Sequence, residues 1–429
     1  MSQFRGYTGK SLEFLKRNNI QVGDSVKITT DLTYSGIIMP RYENADDKHI
    51  VLKLKSGYNI GISLDEIKKI SKTESYKESP QQTQDIKKDP SLPKILLIST
   101  GGTIASKVDY RTGAVTPALT AQELYESIPE LAEMANIDTE VLFSEYSENI
   151  TPKHWIEIAQ KIKEYADSDY SGIILAHGTD TMHYTSSFLS FSLAGFPIPI
   201  ALVGSQRSSD RASSDAALNL IGATRFIIES KSKGVFVVMH QDENDETVAC
   251  HFGTRVRKNH TSKRGAFKTI GDNPAFLVTN DKVYKNTKKD FFNVQNFQPK
   301  INLDTNVILI KYYPGFSLDM FEKILDTGVK AIIFEGTGLG HVGKTLYDGI
   351  KKANEKGVFL GMTSQCIDGR VRMTVYESGR DLMNMGIIPL EDMMPEVALV
   401  KAMWAAGSAK NSKEIKNRML ECVASEFST

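Results

Sequence analysis

Residues 94–117 run KILLISTGGTIASKVDYRTGAVTP, and their reading decides the fold. Ile95-Leu96-Leu97-Ile98 is a short, branched apolar run of the kind that parallel sheets bury. It stops at Ser99-Thr100-Gly101-Gly102-Thr103, where two glycines allow a sharp turn and the close approach of a ligand. Thr103 then stands just past the carboxyl end of a strand, where open α/β sheets bind ligands. Residues 105–113 are polar and end on Gly113, the composition of a mobile loop that closes over a hydroxyl as a lid. The same letters also suit a tight βα turn with Thr103 as a helix cap. They carry neither of the glycine patterns, G-x-x-x-x-G-K-[ST] or G-x-G-x-x-G, that cradle phosphates.

From residue 94 onward, apolar runs alternate with helix-period segments. The strands are expected at 95–99, 139–143, 172–176, 198–203, 234–239, 307–312, 331–334 and 358–363. Helices are expected at 120–135, 152–166, 213–229, 318–327 and 345–356. That alternation means βαβ units and a mostly parallel sheet covered by helices. Residues 281–304 offer no obvious core strand, which places a boundary there. We expect an α/β body in two parts, 94–290 and 300–429.

Ahead of it, residues 1–70 show short alternating strands and glycine turns, the signature of a small β-barrel of SH3-like size. Residues 71–93 hold three prolines and few apolar side chains and are expected to be a linker. The chain has 429 residues, two or three domains at roughly 150 each. Hydrophobic residues make up 41%, enough for a sizeable core. Lys+Arg and Asp+Glu both number 52, a balance that does not advertise a general nucleic-acid binder. Three dispersed cysteines argue against a disulfide framework or a CxxC metal site. The first residues carry no apolar leader, and no run approaches the ~18 apolar residues of a membrane span. A cytoplasmic protein that contacts no membrane is expected.

Three further stretches carry chemistry. At 171–182, SGIILAHGTDTM, a second apolar strand ends in Gly178-Thr179-Asp180. Its carboxyl end is expected beside that of the first strand, so that threonines and a carboxylate meet in one crevice. Asp180 and Thr181 at a helix start also suit plain caps. Residues 254–262, TRVRKNHTS, are rich in cations. They suit a solvated face, or a buried lysine that acts as base toward a threonine hydroxyl, and the letters alone leave open which basic residue that is. His177 and His183 flank the Thr-Asp pair without zinc spacing, so no metal is expected.

TGGTIAS, HGTDT and K-x-x-T-S-x-x-x-A-F, in this order and spacing, resemble the bacterial-type asparaginase/glutaminase family over residues 94 to about 407. The resemblance implies a two-domain α/β fold with neither metal nor organic cofactor. It implies Thr103 as acyl-enzyme nucleophile and Tyr110 as the lid residue that activates it. It implies Thr179, Asp180 and Lys258 as a set serving proton transfer and water activation. Ser147 and Glu148 match the family's substrate-clamping Ser-Gln pair, with Glu in place of Gln. It also implies at least a homodimer, in which one protomer's smaller domain closes its neighbour's site.

The barrel and linker ahead of such a body, FSEYSENITPKHW at 143–155 and GIIPLEDMMPE at 386–396 resemble the glutaminase (D) subunits of archaeal tRNA-dependent amidotransferases. That resemblance implies a carbon–nitrogen ligase component that hydrolyses glutamine and supplies ammonia for converting Glu-tRNA(Gln) to Gln-tRNA(Gln). It implies a partner, the amidotransferase's E subunit, carrying ATP, Mg and tRNA, in a heterotetramer of two D and two E. The alternative is a free-standing L-asparaginase/glutaminase.

Overall fold

The computed structural model describes residues 4, 6–41, 45–54, 59–74, 89–102, 106–109, 114–117, 128–206, 214–287 and 296–428. The N-terminal unit is an antiparallel sheet with β1 Ser25–Thr29, β2 Thr33–Ile38, β3 His49–Leu54, β4 Asn59–Ser63 and β5 Lys69–Glu74. They lie in the order β4-β3-β2-β1-β5. Its core includes Leu15, Ile20, Val26, Ile28, Ile50 and Leu52, all but sealed from solvent. Leu15 comes from helix Gly9–Arg17, in keeping with the amphipathic pattern of Leu12-Glu13-Phe14-Leu15-Lys16. β5 runs into the segment read as linker. At that segment's far end, Asn136 Nδ2 donates to Leu92 O at 3.1 Å, and Asp89 N donates to Asn136 Oδ1 at 3.1 Å. Residues 89–93 are therefore stapled to the α/β body.

The body begins with β6 Lys94–Ser99 and continues through β7 Ser106–Asp109, β8 Ala114–Pro117, β9 Asn136–Val141, β10 Gly172–Ala176, β11 Pro199–Val203 and β12 Gly234–His240. Then come β13 Thr247–Phe252, β14 Val256–Lys258, β15 Phe267–Thr269, β16 Phe276–Thr279 and β17 Val283–Lys285. The main sheet has the order β17-β16-β13-β12-β11-β10-β6-β9. The five strands from β12 to β9 run parallel, and β13, β16 and β17 add an antiparallel flank. β10 and β11 are buried at every position, as apolar runs covered on both faces must be.

Helix Pro152–Lys163 shows how the covering layer is specified. Pro152 is pre-set for the first turn, His154 Nδ1 accepts from Thr151 N at 3.0 Å, and Trp155, Ile158, Ala159 and Ile162 form the buried stripe. A second sheet, wholly parallel, follows: β18 Val307–Lys311, β19 Ala331–Gly336, β20 Phe359–Ser364 and β21 Ile387–Pro389, in that order. Helix Pro395–Ala406 packs on it and on helix Met182–Ser192 of the first sheet, so one apolar cluster runs through both layers.

Several expectations move. β9 lies at Asn136–Val141 rather than 139–143, because this edge strand is half exposed and polar. The helix expected over 120–135 is seen only as Glu130–Met134, with 118–127 outside the described residues. The lid expected as a loop contains a two-stranded antiparallel ladder, β7 with β8, Asp109 opposite Ala114. Thr103 and Tyr110 lie outside the described residues.

Candidate active site

β6 and β10 are parallel neighbours with Ser99 opposite Ala176, so their carboxyl ends stop at one level. Thr100 ties them: its backbone N–H and its hydroxyl both donate to Ala176 O, at 3.0 and 2.9 Å. Gly101 and Gly102 follow at φ 105° and 80°, in the left-handed region. A Cβ on Gly102 would stand 2.8 Å from Gly178 N, so only glycine lets the two strand-end loops lie this close.

His177 pegs the second loop from beneath. It is buried, and burial holds its pKa down at about 4, so the ring is neutral. Its Nδ1 lies 2.7 Å from Gly178 O, which can only accept, so Nδ1 carries the proton. Nε2 then accepts from the Thr185 hydroxyl at 2.9 Å. A histidine with both nitrogens committed in this way is a brace rather than a proton shuttle or a metal ligand.

Lys258 enters from the end of β14. Its Nζ donates to Thr179 Oγ1 at 2.8 Å and to Asp180 Oδ1 at 2.6 Å. The lysine side chain is 9% exposed and the Asp180 side chain 66%. A pair so open on one side contributes little to stability. Its consequence is geometric, because Thr179 Oγ1 accepts from Nζ and keeps its own proton free to donate. Among the basic residues of 254–262, the structure thus brings Lys258 to the Thr-Asp pair. Arg255 and Arg257 point elsewhere, Arg257 Nε lying 3.2 Å from Glu396 Oε1.

Ser147 and Glu148 sit on the one-turn helix Ser147–Asn149 after β9. Ser147 is buried against the same crevice. Its carbonyl accepts from the Thr181 hydroxyl at 2.7 Å, and a Cβ on Gly178 would come within 2.7 Å of Ser147 Cβ. Thr181 holds the N-cap position of helix Met182–Ser192, yet its hydroxyl is spent on Ser147 rather than on a helix N–H. Glu148 is exposed on that turn. Four of the seven anticipated residues, Thr179, Asp180, Lys258 and Ser147, are therefore brought together, Glu148 follows on the exposed side of the same turn, and the other two lie beyond Gly102 and β7, outside the described residues.

Sequence reading missed the polar group behind Lys258. Glu396, at the start of helix Pro395–Ala406, is buried, and burial raises its carboxyl pKa. Its Oε1 faces Arg257 as a charge contact without an aligned hydrogen bond. His183 is held neutral, its pKa down at about 4, first by burial and then by the charges of Arg257 and Lys258. Among the described residues no three His, Cys, Asp or Glu side chains are placed to hold a metal ion. Nor is any described helix long and apolar enough to cross a membrane.

Family models described as "Asparaginase, N-terminal" and "Glutaminase/Asparaginase C-terminal domain" match residues 94–291 and 306–419, and one described as "GatD N-terminal domain" matches 20–72. The chain is 45% identical over 424 residues to a Pyrococcus abyssi protein named as the D subunit of glutamyl-tRNA(Gln) amidotransferase, covering 97% of each. To the protein of that name from Sulfolobus acidocaldarius it is 45% identical over 429 residues, covering 98% of this chain and 95% of the other. Among solved structures, the thermostable L-asparaginase from Thermococcus kodakarensis superposes with a TM-score of 0.72 at 32% identity, over 78% of this chain and 99% of that one. L-asparaginase I from Vibrio cholerae superposes with a TM-score of 0.69 at 26% identity, over 79% and 100%.

Proposed function

This chain belongs to the family of glutamyl-tRNA(Gln) amidotransferase D subunits, and on that premise we propose that it is the glutaminase component that feeds ammonia to Glu-tRNA(Gln) amidation. The observation that carries this reading is end-to-end similarity, 97% of the chain, with the N-terminal unit included. The L-asparaginases share the body but leave about a fifth of the chain without a counterpart. A free-standing asparaginase or glutaminase is therefore the weaker reading.

The chemistry suits the residue set. A carboxamide is a poor electrophile with a poor leaving group, so the site needs an activated hydroxyl, an oxyanion partner and a proton for the departing nitrogen. Thr103 supplies the hydroxyl, helped by Tyr110. Its Oγ bonds to the amide carbon, the C–N bond breaks, and the proton leaving Oγ ends on ammonia. Water then attacks the ester, giving one proton back to Thr103 and releasing glutamate. Thr179 orients that water, since Lys258 fixes its oxygen and leaves its proton to point into the crevice. Asp180, open to solvent, faces the ammonium group of the amino-acid substrate, with Ser147 and Glu148 along its other side.

No cofactor is assigned to this chain. ATP and Mg belong on the partner, the E subunit, in an assembly of two D and two E working in the cytoplasm. The relatives' name, which makes each of them the D component of an amidotransferase, supports an assembly of several subunits. Ammonia release from glutamine and asparagine, measured for this chain alone and then with the E subunit and Glu-tRNA(Gln), tests the reading. Weak release alone and strong stimulation on glutamine agree with it, whereas fast hydrolysis of asparagine indifferent to the partner contradicts it.

A further inference from the structure

We propose that residues 422–428 form a strap that positions Lys258 by clamping the root of β14, an inference that rests on the role given to Lys258 above. Lys258 lies on a three-residue strand that, among the described residues, pairs with one equally short strand. So brief a ladder cannot hold an ammonium group to a fixed place, and the fixing must come from what surrounds it.

Two residues ahead of β14, the Thr254 hydroxyl donates to Ala424 O at 2.6 Å. Arg255 is buried and spends its whole guanidinium on the strap and its neighbour. Nε donates to Ser425 O at 2.8 Å, one terminal nitrogen to Ser428 Oγ at 3.2 Å, and the other to Asp392 Oδ2 at 3.1 Å. Asp392 in turn accepts from Ser428 N at 2.8 Å, and Arg370 donates to Ser428 O at 3.2 Å. The strap therefore joins the link between β13 and β14, through Thr254 and Arg255, to the segments that follow β20 and β21, through Arg370 and Asp392.

The strap is itself shaped around a buried ion pair. Glu426 and Lys401 contact each other with both side chains sealed from solvent. The Glu426 carboxylate accepts from Val423 N at 3.0 Å and from Ala424 N at 2.7 Å. Lys401 Nζ also donates to Met419 O at 2.9 Å and lies over the rings of Phe191 and Phe427, 5.8 and 5.2 Å from their centroids. Desolvation cancels much of what such a pair gains, so its effect is to select one arrangement more than to add stability. Ser425 sits at φ 63°, a conformation that persists only where its surroundings enforce it. The match to the general C-terminal family model ends at residue 419, and the strap lies beyond it.

Thr254, Arg255, Lys401 and Glu426 are thus positioning residues. Thr254→Val keeps the shape and removes the hydroxyl, Arg255→Lys keeps the charge and loses the fork, and Thr254→Ser serves as the rescue. Two readouts are taken on the full chain well below each unfolding temperature: glutaminase kinetics, and modification of Lys258 by an amine-selective reagent followed by peptide mass spectrometry. We expect kcat to fall about tenfold or more with KM nearly unchanged, because a displacement of about 1 Å costs on the order of a hundredfold. We also expect Lys258 modification to quicken severalfold, and Thr254→Ser to restore both. Variants that lose only thermal stability, with Lys258 as protected and kcat as high as in the parent chain, overturn the strap. Should the parent chain hydrolyse neither glutamine nor asparagine even with the E subunit and Glu-tRNA(Gln) present, the functional reading fails, and Lys258 reactivity still decides whether the strap holds that side chain.

Discussion

Gly102→Ala tests how the two strand-end loops meet. A Cβ there would lie 2.8 Å from Gly178 N and 3.0 Å from Gly178 Cα, both backbone atoms that cannot swing aside. Ordinary contact begins at 3.4 Å, so the loops must part by about 0.6 Å. Overpacking of this kind costs about 1–3 kcal/mol. Holding alanine at φ 80° adds about 1–2 kcal/mol. The combined loss of about 2–5 kcal/mol lowers Tm by roughly 5–15 °C. Because the same displacement acts next to the threonine proposed above as nucleophile, kcat should fall by about ten- to a hundredfold. Gly357→Ala separates the two costs, since Gly357 has φ 75° and nothing within 4 Å of an added Cβ. It should lose about 1–2 kcal/mol and keep its kcat. The assay is calorimetry beside ammonia release from glutamine. A Gly102→Ala protein no less stable than Gly357→Ala, with unaltered turnover, refutes the close-approach argument.

Other consequences are equally direct. Lys258→Met keeps the stem and removes the donor; kcat/KM for glutamine should drop by about 10²–10⁴ with Tm nearly unchanged, and parental turnover would remove Lys258 from the chemistry. His177 and His183 are held neutral with pKa values of about 4, and His251 of about 3, all by burial. The unfolded chain takes up these protons below about pH 6.5 while the folded chain refuses them, so stability is full above 6.5 and is lost as pH falls toward 4. Each ring withdraws about 3 kcal/mol over that window, and a urea midpoint flat from pH 7 to 4 would contradict it. Among the described residues, the N-terminal core draws on residues up to Ile70 and the remaining clusters on residues from Ile95 onward. Removing residues 1–88 should therefore leave the body folded with Tm shifted by a few degrees at most, checked by calorimetry; aggregation of that fragment would show that the units share stability.

The central strands were legible because burial on both faces demands unbroken apolar runs, and 172–176 coincides with β10 to the residue. β9 was displaced because its sequence, NIDTEV, faces solvent along half its length while Leu142-Phe143 beyond it is apolar. The flank β13 to β17 consists mainly of strands of three or four residues, too short for alternation to register. Helix Met182–Ser192 is buried all round, so MHYTSSFLSFS presents no polar face to mark its span. Thr179 and Asp180 could be placed from a strand end alone, whereas the choice of Lys258 among its basic neighbours needed family resemblance. The strap was invisible, because Thr254 and Arg255 find its carbonyls 170 positions away. Nothing local in TRVRK announces that partner.

The most direct test of the account is isotopic. Glutamine labelled with ¹⁵N in its amide is supplied to this chain together with the partner E subunit, ATP, Mg and Glu-tRNA(Gln), and the amino acid esterified to the tRNA is analysed. The account requires ¹⁵N in the side-chain amide of newly formed Gln-tRNA(Gln), and its disappearance when Thr103 is replaced by alanine. Label found only as free ammonia, at a rate the partner and tRNA leave unchanged, would contradict it.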